Sequence, residues 1–409
     1  MKKNIKVAVA LSGGVDSAVA AALLVQQGYD VTGIHLHLWC ESGKDNLREN
    51  KCCSTESLEA ARKTAFQLGI PFHILNFEEI FHKTIVEYFL KEYGLGRTPN
   101  PCVECNKMIK FGALLEYVRA MEFEYLATGH YVRLMAQTKN SNVKSQNHPP
   151  SPEGYGGAGN SKVKSWYLLT GVDQTKDQSY FLYNLKQEQL QHLLFPLGEY
   201  IKPDVRTLAE KFNLPSAKRP ESQEICFFAE NDYRPFLERN IADKIRPGEV
   251  VDTKGNIIGR HSGLPLYTIG QRHGFKINGQ LKMDNGQSPI PPYYVVRKDI
   301  KKNQLVVGFG KETEVKEFGI KGMNWVNPET ESRIMNNELW VKIRHGGNLL
   351  KIKTQKSKIK NNEVRIILEE AQRGISPGQS AVIYKKWKMD KGKWIKEDME
   401  VLGGGIITI

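Results

Sequence analysis

The sequence reads Ser12-Gly13-Gly14-Val15-Asp16-Ser17 between an apolar run, residues 5–11, and a helix-forming stretch, residues 18–27. This order predicts a buried β-strand, a tight turn and an α-helix. Two glycines allow the backbone to turn sharply and to approach a ligand closely. Because the N–H groups of the turn and of the first helical residues have no intrachain partners, the passage predicts a phosphate site. Ser12 and Ser17 add hydroxyl donors, and the Asp16 carboxylate suits Mg²⁺, which prefers oxygen ligands.

The predicted loop differs from the common nucleotide loop, since G-x-x-x-x-G-K-[S/T] requires a lysine that residues 12–17 lack. A cradle without lysine suits a pyrophosphate group that leaves as one unit, with the α-phosphorus as the point of attack. The competing interpretation is a serine–glycine turn without a ligand. The full six-residue string resembles the signature of the PP-loop ATP-pyrophosphatase superfamily. That resemblance implies adenylation of a substrate oxygen and release of pyrophosphate.

The composition is that of a globular chain of 409 residues, long enough for two or three domains. Apolar runs are far shorter than the ~18 residues of a membrane-spanning helix, and residues 1–4 precede a strand without a secretory segment. We therefore expect a soluble, cytoplasmic protein with no membrane partner. Six cysteines are too few and too unevenly placed for a disulfide framework, so clustered cysteines indicate a metal site or catalysis.

The positive charge is concentrated in the C-terminal third. The whole chain carries a formal net charge of +13, and residues 293–409 hold 23 Lys and Arg against 14 Asp and Glu, a net +9. Such a surface favours a polyanionic partner, RNA or DNA. The alternative is solvated lysine on exposed strands, which protects sheet edges against aggregation.

The pattern of the chain predicts three domains. Strand-like runs alternate with helical patterns in the N-terminal part, which indicates an α/β, Rossmann-like domain with a parallel sheet covered on both faces. Ligands bind at the carboxyl ends of such strands. We expect this domain at residues 1–200, with a mobile insertion at 136–164, then a mostly helical central domain at 201–280 and an antiparallel β-barrel at 290–409. The strand-like runs are residues 5–11, 30–38, 71–77, 125–128, 131–135 and 166–169, and in the barrel 293–297, 304–308, 339–344, 349–354, 364–369, 380–384 and 405–409.

Cys102 and Cys105 form a C-x-x-C pair in front of a helical pattern predicted at residues 107–121. A thiol at a helix N-terminus near Lys107 and Lys110 is expected to have a lowered pKa, which favours Cys105 as a nucleophile or metal ligand. The pair fits half of a zinc site, a redox dithiol, or, together with Cys226, a three-thiolate iron–sulfur site. A single cysteine such as Cys226 is more often an inert core residue. The remaining cysteines, expected to be structural or incidental, are Cys40, Cys52 and Cys53.

Seven ordered strings extend the resemblance over nearly the whole chain, which resembles the bacterial tRNA-specific 2-thiouridylase family. The strings are residues 12–17, 98–101 with 105–107, 127–131, 176–182, 225–227, 270–272 and 377–381. The resemblance implies ATP-dependent adenylation of the C2 oxygen of the wobble uridine, U34, in tRNA. Sulfur transfer from a cysteine persulfide then gives 2-thiouridine, with Cys105 as the nucleophile and Cys226 as the persulfide carrier.

The resemblance also implies the residues of the nucleotide and tRNA sites, and the partners. The expected nucleotide site consists of Ala10, Leu11, Ser12, Gly13, Gly14, Val15, Asp16, Ser17, Leu36 and Gly129. The segment that meets the target base is Asn100, Pro101 and Cys102, and the other expected tRNA contacts are His130, Lys176, Asp177, Gln178, Arg344, His345 and Gln379. The expected cofactors are ATP and Mg²⁺, the latter through Asp16, and the partners are the anticodon loop of tRNA and a sulfur-donor protein such as a cysteine desulfurase or a sulfur-relay protein.

One departure from the family keeps a second mechanism open. Many relatives have Asp where this chain has Cys102, and the extra thiol makes a [4Fe–4S] cluster held by Cys102, Cys105 and Cys226 an alternative to persulfide exchange. The insertion at 136–164 also exceeds the usual length. A different PP-loop ligase or a non-enzymatic RNA-binding protein would leave Cys105 and Cys226 without a task.

Overall fold

The computed structural model describes residues 5–39, 41, 54–138, 143–145, 163–220, 225–228, 230, 232–278, 292–329, 338–353, 358–360, 363–386 and 398–408. Cys40, Cys52 and Cys53 lie outside the described residues, as does most of the insertion expected at 136–164. No helix within the described part of the chain is both long enough and apolar enough to span a bilayer.

The N-terminal part is built on five parallel strands. They are β1 (Lys6–Ala10), β2 (Asp30–His37), β3 (Phe72–Asn76), β4 (Tyr125–Ala127) and β8 (Leu193–Leu194). Their order across the sheet is β3-β2-β1-β4-β8, and every neighbouring pair is parallel. The predicted parallel sheet is thus confirmed, with the ends of β1 to β4 within a residue or two of the predicted limits, whereas β8 was not predicted.

Helices cover both faces of this sheet. Val7 and Val9 of β1 pack with Leu24, whereas Ala8, whose side chain points to the opposite face, packs with Leu115. The helices are α1 (Val15–Gln26), α2 (Thr55–Leu68), α3 (Glu78–Phe81), α4 (Glu87–Gly94), α5 (Pro101–Glu104), α6 (Leu114–Ala120), α7 (Gln187–Leu190), α8 (Lys202–Lys211) and α9 (Arg234–Asn240). A π-helical segment, Cys105–Ala113, joins α5 to α6 without a break.

The helix that carries the C-x-x-C pair begins earlier than the sequence predicted. The expected start was residue 107, but α5 begins at Pro101, because the Val103 N–H donates to the Asn100 side-chain oxygen at 3.3 Å. An Asn cap followed by Pro at the first helical position is a favoured helix start. Cys102 therefore lies in the first turn, and Cys105, expected at the N-terminus, lies in the second.

Two strands at the edge of the insertion are longer than expected. β5 (Val132–Thr138) and β7 (Val163–Thr170) pair antiparallel, and β6 (Val143–Ser145) pairs with β5. Residues 136–138, 143–145 and 163–164, expected in a mobile excursion, therefore belong to strands. Backbone pairing between β5 and β7 extends the ladder into a polar sequence that has no strand pattern of its own.

The central part contains a sheet where the sequence predicted mostly helix. The helices α8 and α9 lie before residue 248, and from there the chain forms strands β9 (Gly248–Val251), β10 (Ile257–His261), β11 (Lys276–Ile277), β12 (Tyr294–Asp299) and β13 (Gln304–Gly308). Their order is β11-β10-β9-β13-β12. The strands β12 and β13, predicted with the barrel, belong here because β13 pairs parallel with β9.

The C-terminal part is an antiparallel sheet, as predicted, of strands β14 (Glu314–Trp325), β15 (Trp340–Lys342), β16 (Leu350–Lys351), β17 (Lys358–Lys360), β18 (Glu363–Arg373), β19 (Ser380–Lys386) and β20 (Met399–Thr408). Its order is β16-β15-β19-β20-β14-β18-β17. A bridge between Ile352 and Leu368 brings the β16 end of this order back to β18. The hairpin β5–β7 joins the same sheet, because β7 pairs with β20.

Candidate active site

The loop between β1 and α1 has the geometry of an anion cradle. Gly13 has a φ of 79°, in the left-handed region that favours glycine, and a Cβ there would lie 2.1 Å from the Ser57 carbonyl oxygen. The Ser17 hydroxyl donates to the Gly14 carbonyl at 3.1 Å and accepts from the Ser12 N–H at 3.2 Å. These contacts fix the turn at the N-terminus of α1, where backbone N–H groups face solvent or a ligand.

Asp16 is held by two side chains that are distant in the sequence. The Lys202 ammonium donates to both carboxylate oxygens, at 2.6 and 2.8 Å. The Tyr131 hydroxyl donates to Oδ1 at 2.7 Å. Neither residue was predicted as a partner of the loop: Lys202 stands in no motif, and Tyr131 ends the string at 127–131, in which only Gly129 and His130 were expected to contact a ligand.

A second basic side chain, Arg219, braces the outer side of the loop. Its guanidinium donates to the Gly13 carbonyl at 3.1 Å and to the Glu56 carbonyl at 3.2 Å. It thereby ties the turn to the start of α2. Arg219 was also missed, since it lies in an irregular segment without periodicity.

Gly129 and Leu36 lie at the same edge of the sheet. A Cβ on Gly129 would lie 2.8 Å from both the Asp16 carbonyl carbon and the Ser17 nitrogen, so the backbone at Gly129 packs directly on the loop. Leu36 stands near the carboxyl end of β2 and packs between two buried clusters. The expected nucleotide-site residues are therefore together at the carboxyl ends of the strands, where parallel sheets bind ligands.

The cysteines expected to carry sulfur flank one buried cluster. Cys105 and Cys226 both pack, half-buried, against the group of apolar side chains that includes Phe227 and Phe89, and Leu36 packs against the same group. Phe227 stacks edge-on against Phe89 with ring centres 5.2 Å apart. The aromatic residue after Cys226 thus anchors that cysteine to the same cluster that Cys105 contacts.

The three described cysteines are not arranged as ligands of a cluster. Cys102 is exposed, and all three are thiols in this structure. Within the described residues, no three His, Cys, Asp or Glu side chains lie together as metal ligands do. The described cysteines therefore do not fit the iron–sulfur site that the sequence left open.

The segment before the helix is clasped from the C-terminal sheet. The Gln379 amide donates to the carbonyls of Thr98 and Pro99 at 3.1 and 2.9 Å. The Thr98 N–H donates to the Pro377 carbonyl at 3.0 Å. In this structure the side-chain N–H groups of Gln379, which was expected as a tRNA contact, are hydrogen-bonded to the segment that leads into Asn100.

The other expected tRNA contacts form one neighbouring patch. The Lys342 ammonium lies 3.2 Å from the Asp177 carboxylate, and the His345 ring centre lies 4.4 Å from that of Phe181. These two contacts bring the segment around Asp177 close to the segment around His345. Asp177 itself is buried and accepts from the Ser179 hydroxyl at 2.9 Å, so it orders this patch from inside.

His130 is buried rather than presented on the surface. Its Nδ1 lies 2.8 Å from the Thr128 hydroxyl oxygen, and its ring packs against Phe111 and Phe195. Burial, with a smaller contribution from Lys110, holds the pKa of His130 well below its usual value of 6.5. Gln178 lies nearby and accepts from the Tyr131 N–H at 3.0 Å.

The buried histidines give the protein an acid-sensitive stability. Burial lowers the pKa of His35 as well as that of His130. Since the unfolded chain takes up these protons near pH 6.5 and the folded protein resists them, their contribution to stability is fully present above pH 6.5. It is lost as the pH falls below that value, with a slope of at most about 1.4 kcal/mol per pH unit for each group.

We expect the free energy of unfolding in urea to fall between pH 7.5 and pH 5.5, and His130→Gln to reduce that fall. The glutamine side chain can keep a polar contact near Thr128 but takes up no proton. Equal pH slopes for the wild type and the variant would contradict the assignment to His130.

Three family models match the chain in succession. The model described as tRNA methyl transferase HUP domain matches residues 5–230. The one described as tRNA methyl transferase PRC-barrel domain matches residues 234–309, and the one described as Aminomethyltransferase beta-barrel domain matches residues 315–407.

Curated relatives are similar over their whole length. A tRNA-specific 2-thiouridylase MnmA of Roseiflexus castenholzii is 42% identical over 406 residues, which cover 98% of this chain and 99% of the relative. The protein of the same description from Carboxydothermus hydrogenoformans is 39% identical, over 98% of this chain and 97% of the relative. The one described as tRNA-specific 2-thiouridylase MnmA 2 from Thermoanaerobacter pseudethanolicus is 41% identical, over 100% and 99%.

Proposed function

The chain belongs to the family of tRNA-specific 2-thiouridylases, and on that premise we propose that it uses ATP to exchange the C2 oxygen of wobble uridine U34 in tRNA for sulfur. The observation that carries the proposal is the packing of Cys105 and Cys226 on one buried cluster that also contacts Leu36, at the nucleotide edge of the sheet. A different PP-loop ligase would need the loop but neither cysteine.

In the first step, the uracil C2 oxygen attacks the α-phosphorus of ATP and pyrophosphate leaves. The loop amides and the hydroxyls of Ser12 and Ser17 would hold the departing anion, which preorganised donors stabilise without reorganisation. Mg²⁺, when bound, would supply further charge neutralisation on the phosphates. Asp16 is the carboxylate at the loop that would meet it, with a single protein carboxylate as is common for this ion.

In the second step, sulfur arrives from a persulfide on Cys226. The Cys105 thiolate attacks the inner sulfur of that persulfide, a Cys105–Cys226 disulfide forms, and the outer sulfur leaves as hydrosulfide. The hydrosulfide attacks C2, and AMP leaves with the former oxygen. The Cys105 sulfur is oxidised and the outer sulfur of the persulfide is reduced to hydrosulfide, so a dithiol reductant must cleave the disulfide to restore both cysteines. The persulfide itself must come from a sulfur-donor protein, such as a cysteine desulfurase or a sulfur-relay protein.

The substrate base must leave the anticodon stack to reach this edge of the sheet, since single-stranded RNA bases are recognised when splayed out. Asn100, Pro101 and Cys102 begin the helix that carries Cys105, and they are the proposed contacts of the base. The patch of residues 176–178 and 344–345 is the proposed contact with the tRNA backbone. His130 would support these surfaces from the core, where it packs against Phe111 and Phe195. Gln379 would support them through its hydrogen bonds to the segment before Asn100.

The function is tested with purified protein, unmodified tRNA, ATP, Mg²⁺ and a persulfide-generating system under anaerobic conditions. We expect 2-thiouridine in the nucleoside digest by mass spectrometry, and none when ATP is omitted. The variant Cys102→Asp should keep at least about half of the wild-type rate, because persulfide exchange uses only Cys105 and Cys226. The iron–sulfur cluster would be favoured instead if the wild type contained bound iron with visible absorbance and if Cys102→Asp lost the iron, the absorbance and the activity together.

A further inference from the structure

The phosphate loop lacks a lysine of its own, but the fold supplies one. Lys202 is the first residue of α8, only 7% of it is exposed, and its ammonium reaches both Asp16 oxygens. Its backbone N–H donates to Asp173 at 2.9 Å, which fixes the start of the helix independently of the side chain. The ammonium also lies 5.7 Å from the centre of the Tyr131 ring.

Asp16 places a negative charge at a site built for an anion. A carboxylate beside an incoming triphosphate is repulsive unless a cation neutralises it. Mg²⁺ arriving with ATP would bind the Asp16 oxygens that Lys202 occupies in this structure. An ammonium released from that carboxylate still has three N–H donors and would be adjacent to the phosphates.

Arg219 is the other basic side chain described at the loop, and its contacts differ. Its guanidinium donates to carbonyl groups of Gly13 and Glu56 on the outer side of the turn. Those bonds shape the backbone and are not competed for by a metal ion. The pairing of Lys202 is the one that nucleotide binding would exchange.

We propose that Lys202 is the cation of this phosphate loop, paired with Asp16 before nucleotide binds and with the nucleotide phosphates once Asp16 meets Mg²⁺. The inference rests on the proposed placement of ATP at residues 12–17. It assigns the role of the missing loop lysine to a residue that begins a helix far along the chain. The competing explanation is that Lys202 only neutralises Asp16 and never touches the ligand.

The two explanations differ in a double-mutant cycle of ATP binding, measured by calorimetry on the full chain in EDTA without metal. We expect Lys202→Met to weaken ATP binding at least tenfold and Asp16→Asn to tighten it several-fold, because the latter removes a competing anion. The double variant should then bind ATP about tenfold more weakly than Asp16→Asn. Equal affinity of the double variant and Asp16→Asn would overturn the proposal, since Lys202 would then act only through Asp16.

Folding is controlled within the same set. Removing one partner of a buried ion pair is strongly destabilising, whereas removing both is often tolerated, so weak ATP binding by the double variant is less open to explanation by misfolding than weak binding by Lys202→Met. Lys211→Met, at an exposed position in the last turn of the same helix, is the matched control and should leave ATP affinity unchanged. If the wild type binds no ATP even with Mg²⁺, the nucleotide assignment fails and this inference fails with it. If the wild type binds ATP and all the variants bind it with the same affinity, only the role of Lys202 is overturned.

A second readout separates phosphate binding from sulfur chemistry. With Mg²⁺ present, Lys202→Met should raise the KM for ATP while the loading of persulfide onto Cys226 stays at the wild-type level. Lys202→Arg, which keeps the charge, should recover part of the lost affinity. A defect in persulfide loading of the same size as the defect in ATP use would indicate general damage to the site and would count against the proposal.

Discussion

We expect Cys105→Ser and Cys226→Ser each to lower the rate of 2-thiouridine formation by at least about 10³-fold, as for residues that act as one unit, while ATP affinity stays within about twofold. The reason is chemical, since serine cannot carry sulfane sulfur and is a far weaker nucleophile than a thiolate. The cysteines adjoin the cluster of Phe227 and Phe89 rather than the turn at residues 12–17, so the phosphate cradle remains intact in both variants.

The two variants should block different steps of sulfur transfer, so the state of the protein distinguishes them even though both lose activity. Cys105→Ser should accumulate persulfide on Cys226, visible as a gain of one sulfur atom by mass spectrometry, because nothing withdraws it. Cys226→Ser should accept no transferable sulfur at all. Full activity in either variant would refute the exchange between the two cysteines.

Gly13→Ala should lower the free energy of unfolding by about 3 kcal/mol or more and abolish ATP binding, whereas Gly14→Ala should cost less than about 1 kcal/mol. Both glycines belong to the same loop, but only Gly13 has a positive φ, and only there would an added methyl group lie 2.1 Å from the Ser57 carbonyl oxygen. A Cβ on Gly14 meets its nearest atom, the Ser12 hydroxyl oxygen, at 3.5 Å, which is ordinary contact.

Urea unfolding measures the stability of both variants, and calorimetry with Mg–ATP measures binding. Gly14→Ala serves as the matched control for inserting a methyl group into the loop. Equal destabilisation of the two variants would show that neither the positive φ of Gly13 nor its close approach to Ser57 decides the effect of an added methyl group.

The sequence predicted the N-terminal part well because its signals are local. An apolar run that breaks at Gly13 and Gly14 predicts a strand, a turn and a helix from neighbouring residues alone. β1 lies where that pattern put it, and α1 begins at Val15, three residues before the predicted helical stretch. The start of α5 was misplaced because the cap, Asn100, acts through a single hydrogen bond, whereas the apolar periodicity becomes clear only farther along the helix.

Partners that come from distant parts of the chain left no comparable signal. Lys202 and Arg219 reach the loop through the docking of α8 and of the segment after it, and neither stands in a motif. The strands β12 and β13 look like any short alternating strands, so the sequence did not indicate to which sheet they belong. They belong to the central sheet because β13 pairs with β9, which lies in a stretch that the sequence predicted as mostly helical.

The expected sulfur residues could be located from the sequence only through the resemblance to a family. Spacing alone made Cys226 an ordinary core cysteine, and its apolar neighbours do pack as core. What distinguishes it is its packing on the same cluster as Cys105, which is a property of tertiary structure. The same holds for Asp177, whose burial against Lys342 could not be inferred from a polar string.

Because β7 and β20 pair in one sheet, the folding of the chain during its synthesis on the ribosome is affected. Arg133 of β5 is buried and its guanidinium donates to Asp398, a residue translated long after the Rossmann-like part has emerged. Until β20 is synthesised, the hairpin lacks its neighbour and Arg133 lacks its counter-ion. This hairpin therefore reaches its final pairing only after β20 has been synthesised.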